Sequence, residues 1–314
     1  MPKSLELLFT ETPNKDLAKG LSIVLFVVLN GDLLMSVELP EAQILSEQLD
    51  KELLQKQIKS FHLQDYQKLQ RIGFLNKDIR AFDNLVNRKV VSVVSRGNVI
   101  RVKLDQRLNL VLAPEYGGRI LYHTSRSPIP AKFHLKLDFN DGTSLTVALT
   151  GMGVIQVLRD DELDGSYVYK RDFSEAASPT NEREFTFEHF SKQLADKKVN
   201  IKSAIVGKDA VVVGLSNSAF QDILFRAKIH PKRKASELSE EERLALYEAI
   251  RAVISERIRL GGKNQFTDLY GNQGRYAPAM GPNMNGKTCV TCGTPIEKLS
   301  LGGGQVYLCP ECQK

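Results

Sequence analysis

At 314 residues, with 42% apolar and 25% charged side chains, the chain can bury two or three small cores and has an ordinary globular composition. Its 43 Lys and Arg against 37 Asp and Glu leave a net charge of +6, compatible with a polyanionic partner without requiring one. No run approaches the ~20 apolar residues of a membrane span, so no membrane partner is expected. The four cysteines all fall within the last 26 residues, which argues against a disulfide framework spread over the fold.

Residues 1–34 carry a short apolar stretch, Leu21–Leu29 (LSIVLFVVL), behind Lys15 and Lys19. It has the look of a signal-peptide core, but no A-x-A cleavage site follows. A true extension, a weak signal and a translation start at Met35 are the three readings, and the last is favoured. Pro40 then sits where a first helical position belongs, with Glu41 in the first turn, and Ala42, Leu45, Leu49 and Leu53 recur at helical spacing. This predicts an amphipathic helix of about four turns.

From Lys89 to Leu158 the pattern shifts to period two and β-branched residues. Strands are predicted at 89–95, 99–104, 108–113, 119–123, 133–139, 143–149 and 154–158, with Asn140-Asp141-Gly142 as a hairpin turn. Seven short strands with brief connections imply an antiparallel sandwich or barrel. Residues 160–183 are polar and poorly periodic, as an interdomain linker would be. Helical spacing returns at Phe220, Ile223, Leu224 and Ala227. After a turn at Lys228–Pro231, a capping box of Ser239 and Glu242 opens a second helix. Leu244, Tyr247, Ile250, Ile254 and Ile258 carry it to Gly261-Gly262, a natural stop.

The cysteine spacing is C-x2-C-x16-C-x2-C, through Cys289, Cys292, Cys309 and Cys312. Each CxxC points two thiolates at one cation, and four thiolates close a tetrahedral Zn²⁺ site with no open position. One structural zinc per chain is therefore expected, supplying folding energy to a module with little core of its own. The spacing leaves DNA, RNA and protein open as what the module touches.

Between the two helices, Arg226 to Lys234 (RAKIHPKRK) holds five Lys or Arg and no acid. A basic turn beside a helix N-terminus favours phosphate, although charge runs are more often solvated surface. His230, before Pro231, reads as a turn-packing residue rather than a base. Gly214-Leu215-Ser216-Asn217 opens the first helix, with glycine for close backbone approach and Ser or Asn for the cap.

Four motifs in fixed order resemble the formamidopyrimidine-DNA glycosylase and endonuclease VIII family. They are VELPEAQ (37–43), FNDGTSL (139–145), GLSNSAFQDILFRAKIHPKR (214–233) and CVTCGTPI with YLCPECQK (289–314), and the resemblance covers roughly residues 35–314. It implies an α+β multidomain fold: an N-terminal helix with an antiparallel β-sandwich (35–159), a linker (160–183), an all-α helix–two-turn–helix domain (184–265) and a zinc finger (284–314). It further implies a cytoplasmic, monomeric protein of base-excision repair that binds damaged double-stranded DNA with the lesion flipped out. The implied chemistry is DNA glycosylase and AP lyase activity on oxidised bases or abasic sites, through an N-terminal amine that attacks C1′ as a Schiff-base nucleophile.

By the same resemblance, Glu38 matches the acid/base glutamate and Glu41 the second glutamate of its motif. Val37 stands where the family's N-terminal proline belongs, and Ser36 would carry the free amine if Met35 were the start and were removed. Asn217 matches the asparagine that binds phosphate beside the flipped nucleotide, and Lys202 falls near a lysine that reaches the lesion. Arg96, Lys232 and Arg233 complete the expected DNA contacts. Asn98 replaces a phosphate-binding lysine and Gly304 a phosphate-gripping arginine. The loop APEYGGR lacks the family's void-filling methionine, for which Met152 is the available substitute. These replacements keep open a second reading, a family member that recognises damaged or distorted DNA without cutting it. A ribosome- or transcription-associated zinc ribbon would explain the cysteines but leaves residues 214–233 without a role.

Overall fold

The computed structural model describes residues 37–314 apart from 116, 176, 208 and 209; the readings made for residues 1–34 and for Ser36 lie outside the described residues. The described residues form one compact unit. Helix α1 (Leu39–Leu53) begins one residue before the expected first position, so that Pro40 is its second residue, and it buries Ala42, Leu45, Leu49 and Leu53. Strand β1 (Ile58–Leu63) and the short helix α2 (Tyr66–Arg71) follow it.

The seven predicted strands are all present within two residues of their expected bounds. They are β2 (Val90–Arg96), β3 (Val99–Leu104), β4 (Leu108–Ala113), β5 (Arg119–His123), β6 (Leu135–Phe139), β7 (Ser144–Ala148) and β8 (Val154–Arg159). They pair antiparallel in two four-stranded sheets, ordered β1-β6-β7-β5 and β2-β3-β4-β8. β1 is the strand that periodicity does not reveal. It lies at a sheet edge with only Ile58 fully buried, so alternation has little to act on.

Both sheets and α1 share one core, which includes Leu45 and Leu49 of the helix, Ile100, Val102 and Leu110 of one sheet and Leu137, Phe139 and Leu145 of the other. The second sheet is covered on its other face as well. Val99, Val111, Ala113 and Val154 pack there against Leu163 and Tyr169. The covering segment is the expected linker, and the expectation of an open connection fails for its first half. It folds as a 3-10 turn (Asp160–Gly165), the helix α3 (Tyr167–Lys170) and a π turn (Arg171–Glu175). Its polar residues hid two apolar anchors, and Tyr169 stacks on Phe173 with ring centroids 4.4 Å apart.

The helical part contains α4 (Phe187–Ala195), α5 (Ile201–Val206), α6 (Asn217–Ala227) and α7 (Glu240–Arg259), around a core that includes Phe190, Ile205, Phe220, Leu224 and Ile250. Ser239 caps α7 in the expected box with Glu242, and α6 is capped by Ser216. The buried stripe of α7 differs from the predicted one. It runs through Leu246, Ala249, Ile250, Val253, Ile254 and Arg257, while Leu244 is exposed. The finger contributes the hairpin β9 (Glu297–Leu301) and β10 (Gly304–Leu308). Among the described residues, no helix is long and apolar enough to cross a membrane.

Candidate functional site

The N-terminus of α1 meets the C-terminus of α7 in a buried group of four charges. Glu38, Glu41, Arg257 and Lys263 are each 3% exposed or less. Arg257 donates from Nη2 to both oxygens of Glu41, at 2.7 and 2.6 Å, and from Nη1 to Oε2 of Glu38. Glu41 also accepts from the backbone N–H groups of Glu38 and Lys263, both at 3.2 Å. The other Glu38 oxygen accepts from the hydroxyls of Ser216 and Ser218, the latter at 2.7 Å, and lies 3.9 Å from Lys263 Nζ.

Burial by itself pushes the Glu38 carboxyl up. The Arg257 and Lys263 charges and the two hydroxyls more than offset it and hold the group at about 2, so Glu38 is a carboxylate. Burial pushes the Lys263 ammonium down, against the pull of Glu38 and Glu41 and with the repulsion of Arg257. Of these four residues, the sequence motif points to the two glutamates alone. Arg257 continues the buried stripe of α7 one turn beyond Val253 and Ile254, a phase that only the packed helix reveals.

Val37 is 3% exposed, and its backbone N–H donates to the Glu115 carbonyl at 3.1 Å. In the sequence Val37 follows Ser36, which makes its nitrogen a peptide nitrogen. Two glycines set the seam beside it. A Cβ on Gly214 would stand 2.5 Å from Gly97 Cα and 2.9 Å from Leu39 Cβ, and a Cβ on Gly97 would stand 2.2 Å from Asp172 Oδ2. The close approach expected at Gly214 is thus to the β2–β3 hairpin tip, where φ values of +71° and +58° suit glycine at both positions.

Asn217 stands over this seam. Its amide donates to the Gln305 carbonyl at 2.8 Å, while its Oδ1 is buried with no hydrogen-bond partner among the described residues. Lys202 is brought to the same place and donates to the Leu301 carbonyl at 2.5 Å. Its Nζ is 3.4 Å from where a Gly304 Cβ would lie, so the lysine stands next to the gap that the small residue leaves.

The remaining expected contacts are dispersed. Arg96 pairs with Glu184 at 2.6 Å and donates to the Asp172 carbonyl at 2.6 Å, which ties β2 to the segment beyond it. Arg233 is paired with Glu242 at 2.9 Å, and Arg226 with Glu256 at 2.9 Å. Lys232 is exposed and makes no ion pair among the described residues. Asn98 accepts from Arg171 Nη2 at 2.6 Å, and Arg171 also reaches Glu115 at 3.1 Å. This cation was hidden inside the supposed linker. Met152 is 43% exposed, so it is not a core residue.

The four cysteine sulfurs lie within 4.8 Å of one another, with Cys289–Cys312 at 3.8 Å and Cys292–Cys309 at 3.4 Å. A thiolate tetrahedron with ~2.3 Å bonds spaces its sulfurs by about 3.8 Å, so the donor set fits one tetrahedral cation. The finger is fixed to the helical part by Gln221 Oε1, which accepts from Tyr307 N at 2.7 Å, and by Gln313 Nε2, which donates to Ile229 O at 3.0 Å.

A helix and sandwich, a capped helix pair with a basic turn and a four-cysteine finger define a three-part protein, with its buried charges where the first two parts meet. The matches to known proteins follow the same division. Residues 37–149 match the formamidopyrimidine-DNA glycosylase N-terminal domain, 176–268 its H2TH domain, and 286–314 the zinc finger found in FPG and IleRS. The chain is similar to the formamidopyrimidine-DNA glycosylase of Pelotomaculum thermopropionicum, 30% identical over 236 residues that span 74% of this chain and 84% of the relative. It is 28% identical to the Streptococcus pneumoniae R6 protein of the same name, over 88% of this chain and 98% of the relative. The Lactococcus lactis Fpg complex with abasic-site DNA shares the fold, with a TM-score of 0.76 at 23% identity over 88% and 99% of the two chains. The chain belongs to the formamidopyrimidine-DNA glycosylase family.

Proposed function

We propose that this chain is a base-excision repair protein that binds damaged double-stranded DNA as a DNA glycosylase/AP lyase, with one structural Zn²⁺ held by Cys289, Cys292, Cys309 and Cys312. The observation that carries the reading is the Glu38 carboxylate, fixed by Ser216 and Ser218 at the mouth of α6 beside the unsatisfied Asn217 oxygen. A carboxylate next to a polar helix N-terminus suits a sugar–phosphate, with the amide and backbone dipole facing phosphate and the carboxylate facing the sugar. Relatives named for this glycosylase activity support the same reading. Asn217 and Lys202 are assigned to the nucleotide at the lesion, and Lys232 to flanking phosphate. Arg233 and Arg96 contribute through the ion pairs that hold the surrounding elements in place. The protein works as a monomer, in the cytoplasm.

The test is gel retardation on duplexes that carry an abasic analogue, an oxidised purine or no lesion, with strand incision followed in parallel. Tighter binding to damaged duplex together with incision supports the reading. Equal affinity for all three overturns it. Two observations favour the second reading, a member that binds without cutting: the Val37 nitrogen is an amide, and Arg257 engages Glu38 directly. Damage-selective binding with no incision of any lesion decides for that reading.

A further inference from the structure

Lys202 and Asn217, the two residues assigned above to the nucleotide at the lesion, are both occupied by the same piece of the finger. Lys202 Nζ donates to the Leu301 carbonyl at 2.5 Å, and Asn217 Nδ2 donates to the Gln305 carbonyl at 2.8 Å. The two carbonyls flank Gly302, Gly303 and Gly304 at the tip of the β9–β10 hairpin. A Cβ on Gly302 would lie 3.6 Å from Lys202 Cδ, and one on Gly304 would lie 3.4 Å from Lys202 Nζ and 3.8 Å from Asn217 Nδ2. The tip therefore covers both donors. Neither contact is a full match. Lys202 is 7% exposed, burial pushes its ammonium down, and it makes no ion pair among the described residues. A neutral carbonyl is weak compensation for a buried cation. Asn217 turns its Nδ2 to the hairpin because Gln305 offers an acceptor there, which leaves Oδ1 buried without a hydrogen-bond partner among the described residues.

We propose that the peptides from the Leu301 carbonyl to Gln305 form a latch, which caps Lys202 and Asn217 in the free protein and is displaced when a DNA phosphate takes both donors. The inference rests on the DNA-damage reading above and adds a conformational step to it. The hairpin can move at one end only. Its base is fixed, with Val306 and Leu308 buried and the Tyr307 N–H held by Gln221. The Leu301 side chain packs on the helical core, so the swing is confined to the peptides beyond it. Those carry no side chain for three residues. Gly302 and Gly303 are exposed with φ of +53° and +76°, and a Cβ on Gly303 would meet nothing within 4 Å. A phosphate brings the full negative charge that the two carbonyls lack, so the exchange favours DNA. A phosphate that reaches one donor alone leaves the other carbonyl in place. The latch thus opens for a nucleotide turned into the seam and stays shut under an intact duplex.

The experiment is amide hydrogen exchange on the full 314-residue chain, alone and saturated with a duplex that carries an uncleavable abasic analogue. Residues 299–305 should exchange faster in the complex while residues 306–308 stay protected, the reverse of what a ligand does to a static site. Lys202→Met should produce the same faster exchange at the tip without DNA. Slowed or unchanged exchange at 299–305, with the analogue verifiably bound, overturns the latch and leaves damaged-DNA binding standing. A tip unaltered by Lys202→Met counts equally against it. Absence of analogue binding removes both readings. Two further variants separate a latch from simple charge repulsion. Gly304→Asp sets a carboxylate beside Lys202 and should weaken analogue binding by about tenfold, the worth of one close charge pair. Gly303→Asp adds the same charge in open space, in a residue type that tolerates positive φ, and should cost much less. Equal losses in the two would mean repulsion alone and overturn the latch. The exchange measurement on the wild type needs no tip variant, so it decides even where Gly304→Asp disturbs the finger.

Discussion

The finger and the buried charges at α1 and α7 are both dense clusters of ionisable groups, and their charge is balanced in opposite ways. Four cysteines brought within 4.8 Å hold only negative charge when ionised, so their balance must come from an added cation. The other cluster sets two carboxylates against a guanidinium and an ammonium, and balances itself out of reach of water. The first is assembled from two local knuckles, the second from helices more than two hundred residues apart in sequence. A module balanced from outside depends on solution conditions. One balanced from within depends on every member being present.

The largest expected effect follows from that dependence. Structural zinc is worth about 10–16 kcal/mol in apparent binding free energy for small modules, and the finger core is little more than Met280, Met284, Tyr307 and the cysteines. Strong chelation should make residues 284–314 sensitive to limited proteolysis and abolish DNA retardation, while the sandwich stays resistant. A finger that resists protease after its metal is verifiably gone would show that Tyr307 and Gln313 suffice to hold it.

Next comes removal of the guanidinium. Arg257→Met leaves two buried carboxylates facing one lysine, and breaking a buried pair typically costs about 3–5 kcal/mol. The urea midpoint of the variant should fall accordingly, and adding Glu41→Gln should restore part of the loss. A midpoint within experimental error of the wild type would mean that the cluster is not balanced by Arg257.

How far each cluster is legible in the sequence follows from the same contrast. Cysteine spacing is a local signal, and the metal-binding geometry is already implied by C-x2-C-x16-C-x2-C. Glu38 and Glu41 are local too, as a three-residue capping pair before Ala42. Arg257 in isolation reads as a cation that suits a helix C-terminus. Its burial depends on the phase of α7, and a stripe counted from Leu244 is out of phase with the one that starts at Leu246. Arg171 was lost for a related reason. Its segment is polar, and only the packing of Leu163 and Tyr169 on the far face of the sheet brings it to Asn98. Sandwich strands, capped helices and finger were readable because each repeats a short-range pattern. Strand β1 and the buried cations were not, because tertiary contacts alone distinguish them.

The self-balanced cluster should also respond to acid in a defined direction. Glu38 is held at about 2 in the folded protein, below its ordinary value of 4.5. Its contribution to stability is therefore complete above pH 4.5 and is lost as pH falls towards 2; for a shift of this size it is of the order of 3 kcal/mol. The stability difference between wild type and Glu38→Gln, from urea unfolding, should shrink between pH 5 and 3. Acid release of the metal is common to both proteins and cancels. A difference that grows on acidification would reverse the sign and contradict an ionised Glu38.

The smallest effect separates the two modes of balance at the surface. In the basic turn, Arg226, Arg233 and Lys234 already have carboxylate partners in Glu256, Glu242 and Glu237. Lys232 is exposed and makes no ion pair among the described residues, so like the finger it takes its counter-charge from outside. If that counter-charge is a DNA phosphate, Lys232→Ala should lower the slope of log Kobs against log salt by about 0.9, with little change in stability. Arg233→Ala should do the converse, lowering stability by up to ~1 kcal/mol through the lost Glu242 pair and leaving the salt slope almost unchanged. Equal loss of slope in the two variants would mean that DNA draws Arg233 away from Glu242, and that the pairing seen in the free protein is exchanged on binding.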